Sequence, residues 1–223
     1  MLHEGQKLAP ILGDIITTFI IICRIEKSTA ADFISIISTD VVFPMEMDQY
    51  HPGYIIYDDS HALMTSNGKR TCLIAGHPKQ AGYEEGVGAK AMFHFITGFT
   101  QISQERVVVA DWRNNCLRLI IRTTGVTSVF SGKCQHSGRG YQEGHPGQFH
   151  RPYAVVMDKK NGNQLLITDQ LNRAIRAAAV RSGSVSTFVK DELLRYARHM
   201  VQDVGSGDIY FTASYNAIYR ITI

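Results

Sequence analysis

Five histidines and two glutamates are the side chains here whose types best suit metal or acid–base chemistry. His77, His94, His136, His145 and His150 crowd two stretches, 76–102 and 132–158, which also hold Glu85 and Glu143. Imidazoles and carboxylates converging from such stretches suit Zn²⁺, which activates water or polarises a carbonyl. Their spacing argues the other way. No His-x-His or His-Glu-x-x-His pattern occurs, and a third equivalent stretch, KDELLRYARHM (190–200), offers only His199. No Ser-His-Asp or Cys-His order stands out, no glycine-rich phosphate loop precedes a helix, and no P-loop lysine is present. Cys23, Cys72, Cys116 and Cys134 are too few and too scattered for a disulfide scaffold and form no Cys-x-x-Cys pair, so their pairing stays open. No catalytic residue, cofactor or metal ligand is assigned on these grounds. The one sequon-like stretch, Asn114-Asn115-Cys116, is only the rare cysteine variant of a glycosylation site.

Composition narrows the partners. The 23 Lys and Arg against 20 Asp and Glu leave a formal charge of +3, interspersed without a basic block, so nucleic acid is not expected. The longest apolar run, Phe19 to Cys23, lies in LAPILGDIITTFIIIC, which carries Asp14 and falls short of the roughly 20 apolar residues of a membrane span. Lys7 is the only Lys or Arg ahead of it and no small-residue cleavage site follows Cys23, so there is no clear signal peptide. The compartment, extracellular space included, stays open.

The elements that position these residues are repeated. GYEEG (82–86) and GYQEG (140–144) stand 58 residues apart, and Gly82, Tyr83, Glu85, Gly86, Phe93 and His94 match Gly140, Tyr141, Glu143, Gly144, Phe149 and His150. RVVVADWRNNCLRLI (106–120) parallels QLLITDQLNRAIRAA (164–178), and DIYFTASYNAIYRIT (208–222) repeats it. Each copy has a β-branched run, a corner containing Asn114, Asn172 or Asn216, and then Arg118, Arg176 or Arg220. A degraded copy, YIIYDDSHALMTS (54–66), puts His61 at the Asn position and Thr65 at the Arg position. Short Val- and Ile-rich runs separated by Asp, Asn, Gly and Ser are strand signals, and only DELLRYARHM (191–200) reads as a helical turn.

Four strands per unit is the pattern of a β-propeller blade. Units one to three read as four strands each; unit four reads as three, HMVQDV, DIYFTA and AIYRITI. The stretch from Gly13 to Phe19 is similar to the outer-strand sequence from Gly183 to Phe188. The expectation is therefore an all-β propeller of four blades over 43–223, with residues 1–42 supplying through 11–25 a strand that closes the last blade or exchanges with another copy.

The Asp-x-x-Asn-x-x-Ile/Leu-Arg pattern, seen best in Asp111 to Arg118 and Asp169 to Arg176, followed by a Gly-Tyr-x-Glu-Gly loop, resembles the NHL repeat family of β-propellers. Unit four has Ala213 for the Asp, unit one lacks the Arg, and NHL-like propellers commonly have six blades. The resemblance implies a scaffold, and a fold alone does not specify a function.

The repeat-defining residues read as construction. Glycines ease the crossing from the rim of one blade to the centre of the next, Tyr83 and Tyr141 pack between blades, and Phe93 and Phe149 anchor the return. Asp111 and Asp169 suit capping of the corner that follows them. Arg118, Arg176 and Arg220, one per blade, suit stacking, pairing or contact with a partner. Trp112 and Arg113, at an exposed corner, are the best contact candidates. The expected function is a non-enzymatic protein-interaction, structural or self-assembling module, bound to a protein partner or to itself. The alternative is a metal-assisted lyase or hydrolase at one mouth of the propeller channel.

Overall fold

Residues 45–213 and 217–223 are described by a computed structural model; the expected strand within 11–25 and Asn216 lie outside them. The β-branched runs become strands in the predicted order. The first sheet is β1 (Met45–Met47), β2 (Ile55–Asp58), β3 (Ala62–Ser66) and β4 (Thr71–Gly76). A two-residue strand, β5 (Gly86–Val87), precedes the second sheet: β6 (Ile96–Ser103), β7 (Arg106–Asp111), β8 (Cys116–Ile121) and β9 (Val126–Ser131). The third is β10 (Pro152–Met157), β11 (Gln164–Asp169), β12 (Ala174–Ala179) and β13 (Val185–Lys190), and the fourth β14 (Met200–Gln202), β15 (Ile209–Ala213) and β16 (Ala217–Ile221). Within each, successive strands pair antiparallel. β5 adds to the outer edge of the second sheet by pairing with β9, Gly86 opposite Thr127.

Strands point alternate side chains to opposite faces, and in β7 both faces are buried. Val107 and Val109 join Ile56, Leu63 and Ile74 of the first sheet, while Val108 and Ala110 join Val155, Leu165 and Ile167 of the third. β11 repeats the division, with Leu166 turned instead towards Met200, Ile209 and Phe211. That is why these strands read as unbroken apolar runs rather than alternating ones. Phe93 and Phe149 are fully buried in the first and second of these inter-sheet cores, as expected of residues that lead the chain back inward. Burying such a side chain is worth about 1.5–3 kcal/mol.

The corners between second and third strands are 3₁₀ turns, Trp112–Asn114 and Gln170–Asn172, each closed by a left-handed residue, Asn115 (φ 59°) or Arg173 (φ 56°). DELLRYARHM supplies one more short turn, Glu192–Leu194, in place of a longer helical segment. At the second and third sheets the inner strands come close. A Cβ on Gly98 of β6 would lie 2.5 Å from the Tyr153 carbonyl of β10, to which Thr97 Oγ1 donates at 3.0 Å. No helix among the described residues is long and apolar enough to cross a membrane.

Candidate interaction surface

The repeated motif assembles into a buried polar knot, built the same way in two sheets. Asp111 Oδ1 accepts the His94 N–H at 2.8 Å, and its Oδ2 accepts Asn114 Nδ2 at 2.8 Å and Arg118 Nη1 at 3.3 Å. Arg118 Nη2 donates to the Glu84 carbonyl, Asn114 to the Gly82 carbonyl. In the third sheet Asp169 accepts from His150 N–H, Asn172 and Arg176 at 2.7, 2.8 and 3.1 Å, and Arg176 and Asn172 hold the carbonyls of Gln142 and Gly140. Burial pushes both carboxyls up to about 6, against the pull of the Asn amide, the backbone N–H and the guanidinium.

This arrangement corrects two expectations. Arg118 and Arg176 are fully buried, so neither is a contact residue for a partner; their guanidiniums are committed to Asp111 and Asp169 of their own sheet. Tyr83 and Tyr141 stack on those guanidiniums, 4.8 and 4.4 Å from the ring centres. Asp111 and Asp169 do not cap the backbone of the 3₁₀ turn: they bind side chains and the chain entering the inner strand. Glu85 and Glu143 accept N–H bonds from the outer strands, at Val129 (3.0 Å) and Thr187 (2.9 Å). The two pentapeptides thus clip the crossing chain to the sheet that follows. Arg220 is exposed on β16.

The first sheet keeps only part of the knot. Asp58 ends β2 where Asp111 and Asp169 end β7 and β11, but His61 and Thr65 stand in place of Asn and Arg. Asp58 is 1% exposed, and neither of its oxygens has a hydrogen-bond partner of good geometry among the described residues. Burial pushes its carboxyl up to about 8, only weakly opposed by the backbone amides of Asp58 and Ser60.

His61 serves instead in a row of aromatic and cationic groups at the end of the sheets where inner strands begin. Its Nδ1 accepts the Phe95 N–H at 3.1 Å, and its ring lies 4.6 Å from that of Phe95. Phe95 holds φ at 64° and its counterpart Arg151 at 60°, a left-handed backbone that costs a bulky residue energy and is found where surroundings enforce it. Asn115 Oδ1 secures the Arg151 N–H at 3.0 Å. Trp112, half-buried rather than fully exposed, packs edge-on to Phe95 at 6.2 Å and donates its indole N–H to Gln170 Oε1 at 3.0 Å. The Arg113 and Arg151 guanidiniums lie over the indole at 5.5 and 4.7 Å, and Arg113 also covers Phe95 at 5.0 Å. Gln170 continues the row by donating to the Ala197 carbonyl.

The imidazoles along this end are held below their usual range. Burial lowers His61, His94, His150 and His199, with help from Arg113 at the first two, from Arg139 and Arg151 at His150, and from Arg198 at His199. They do not gather on a metal: among the described residues no group of three or more His, Cys, Asp or Glu is placed to hold one. Sequence reasoning found Trp112 and Arg113 but missed Phe95, Arg151 and Gln170; the Phe-His-x run before each inner strand (93–95, 149–151) was the available signal. It also left open the disulfide between Cys116 and Cys134, which ties the corner beside Asn115 to the next crossing loop.

No family model matches the chain, and no curated protein is similar to it in sequence. Solved structures are similar in fold. A chain of a nidogen/laminin complex matches at a TM-score of 0.54 and 12% identity, over 76% of this chain and 57% of that one. The WD40 β-propeller domain of Doa1 matches at 0.52 and 10%, over 80% and 50%. The chain has a β-propeller-like fold. An auxiliary nutrient binding protein from Bacteroides ovatus matches at 0.52 and 14%, over 77% of this chain and 46% of that one. The chain thus spans about half the length of the structures it matches.

Proposed function

We propose that the chain is an NHL-like propeller module that binds a protein partner through the row at the entry to its inner strands. The observation that carries this reading is the Phe95–Trp112 platform with Arg113 and Arg151 laid over it. Aromatic and arginine side chains that are pre-positioned lose little entropy on binding, which is why they dominate interface energetics. Propeller neighbours found in a complex or described as binding proteins are in keeping with it. Four blades lie in this chain in the proposal, and residues 11–25 complete the three-stranded fourth one, either in cis or from another copy.

A photo-crosslinking residue at Arg113 tests the surface, with one at Lys160, in the turn between β10 and β11 at the opposite end, as control. A discrete protein adduct from position 113 alone is expected; equal adducts from both positions refute the reading. Deleting residues 1–25 tests the strand. Lower thermal stability or lost self-association is expected, and a monomer with unchanged unfolding shows that the segment pairs with nothing.

A further inference from the structure

We infer that the partner's docking element is a peptide segment bearing clustered carboxylates, taken up by the guanidiniums of Arg113 and Arg151; this rests on the interaction reading above. Charge is the first ground. Arg113, Arg139, Arg151 and Arg198 all lie on or beside the row, are exposed, and have no ion-pair partner among the described residues, whereas Arg118, Arg122, Arg173 and Arg176 each have one. At His61 the row feels one carboxylate, the half-buried Asp59. Two guanidiniums converging on one indole repel each other, and an anion between or beside them removes that cost.

Geometry chooses the kind of anion. The indole already has two guanidiniums over it and its N–H is committed to Gln170, so the platform offers no free ring for a base to stack on, which single-stranded nucleic acid would need. It offers planar N–H edges, which suit a carboxylate bound by two parallel hydrogen bonds. The row also runs from the first sheet to the loop that leads into the fourth, from His61 to Phe95 and Trp112, then Arg151 and Gln170, then Ala197, which fits an extended chain better than a compact ligand. The 440 Å³ cavity lined by Tyr141, Leu171 and Lys190 shares none of these side chains.

The test uses the full chain and a fluorescein-labelled Glu/Gly peptide, followed by anisotropy. Saturable binding that weakens with salt is expected, and Arg113→Gln with Arg151→Gln should weaken it about tenfold, the loss of two solvent-exposed ion pairs. Lys160→Gln should leave it unchanged, and circular dichroism confirms that each variant is folded. Absence of saturable binding overturns the inference, as does equal binding by the double variant. Displacement of the peptide by inorganic phosphate at equimolar concentration, or tighter binding of a thymidine oligonucleotide, overturns it in favour of a phosphate site. If the peptide fails while position 113 still crosslinks to a protein, the surface stands and only the partner's chemistry is wrong.

Discussion

The corner of the second sheet and the corner of the first begin with the same buried aspartate and end differently. Asp111 sits among an asparagine amide, a backbone N–H and a guanidinium, while Asp58, at the same place, has neither the amide nor the guanidinium and only weak support from the backbone amides of Asp58 and Ser60. In one sheet the carboxylate holds the incoming chain; in the other a histidine has been freed to hold Phe95. The difference teaches that the motif is a structural clamp whose parts work only as a set. Where the set is broken, the remaining member becomes a cost, because an unpaired buried carboxyl forfeits its hydration.

The largest expected effect is in the intact corners. Arg118→Leu or Arg176→Leu leaves a buried aspartate without its guanidinium partner, and the Glu84 or Gln142 carbonyl without that donor, and should cost about 3–5 kcal/mol in denaturant unfolding. A loss under 1 kcal/mol in both variants would show that the clamp is not a unit. Asp58→Asn should act in the opposite direction. Its folded pKa of about 8 lies above the ordinary 3.8, so the folded chain holds a proton that the unfolded chain releases. Stability from this group is therefore full below about pH 4 and falls as pH rises towards 8. At pH 7 Asp58→Asn should gain about 1–3 kcal/mol, with no gain at pH 4. A thermal-shift comparison at the two pH values reads this directly; equal gains at both would mean that the gain is not linked to protonation of Asp58, and a loss at pH 7 would mean that Asp58 is ionised and paired. The smallest effect is at the exposed clip: Glu143, lowered chiefly by its Thr187 hydrogen bonds, contributes above its ordinary pKa of 4.5 and loses that contribution as pH falls through its folded value. Glu143→Gln should shift the melting point slightly at pH 7 and not at pH 3.

The sheets were readable from the sequence because β-branched runs recur in each unit, 58 residues apart in the second and third, and so set strand order without help from tertiary detail. Asp111, Asn114 and Arg118 were visible as a pattern, but which groups they grasp was not, since the Gly82 and Glu84 carbonyls come from a crossing loop about 30 residues upstream. Repetition left the role of Arg118 and Arg176 open: regularly spaced arginines suit stacking and pairing as well as a partner surface, and only their burial in β8 and β12 decides for the first. The row of Phe95, Trp112 and Arg151 escaped for the converse reason. Phe95 and Arg151 differ in type, so their shared left-handed backbone leaves no common letter to find.

Every apolar core described here belongs to two neighbouring sheets, and none to a single one. Folding is then a matter of coupling along a line: a sheet gains stability only when its neighbour is already in place. The second and third sheets each share two such cores, whereas the fourth shares the one with Met200, Ile209 and Phe211. Native-state amide exchange should accordingly be graded, slowest in β7 and β11 and fastest in β15 and β16, so that the chain frays from its last sheet inward while the Phe95–Trp112 platform stays ordered.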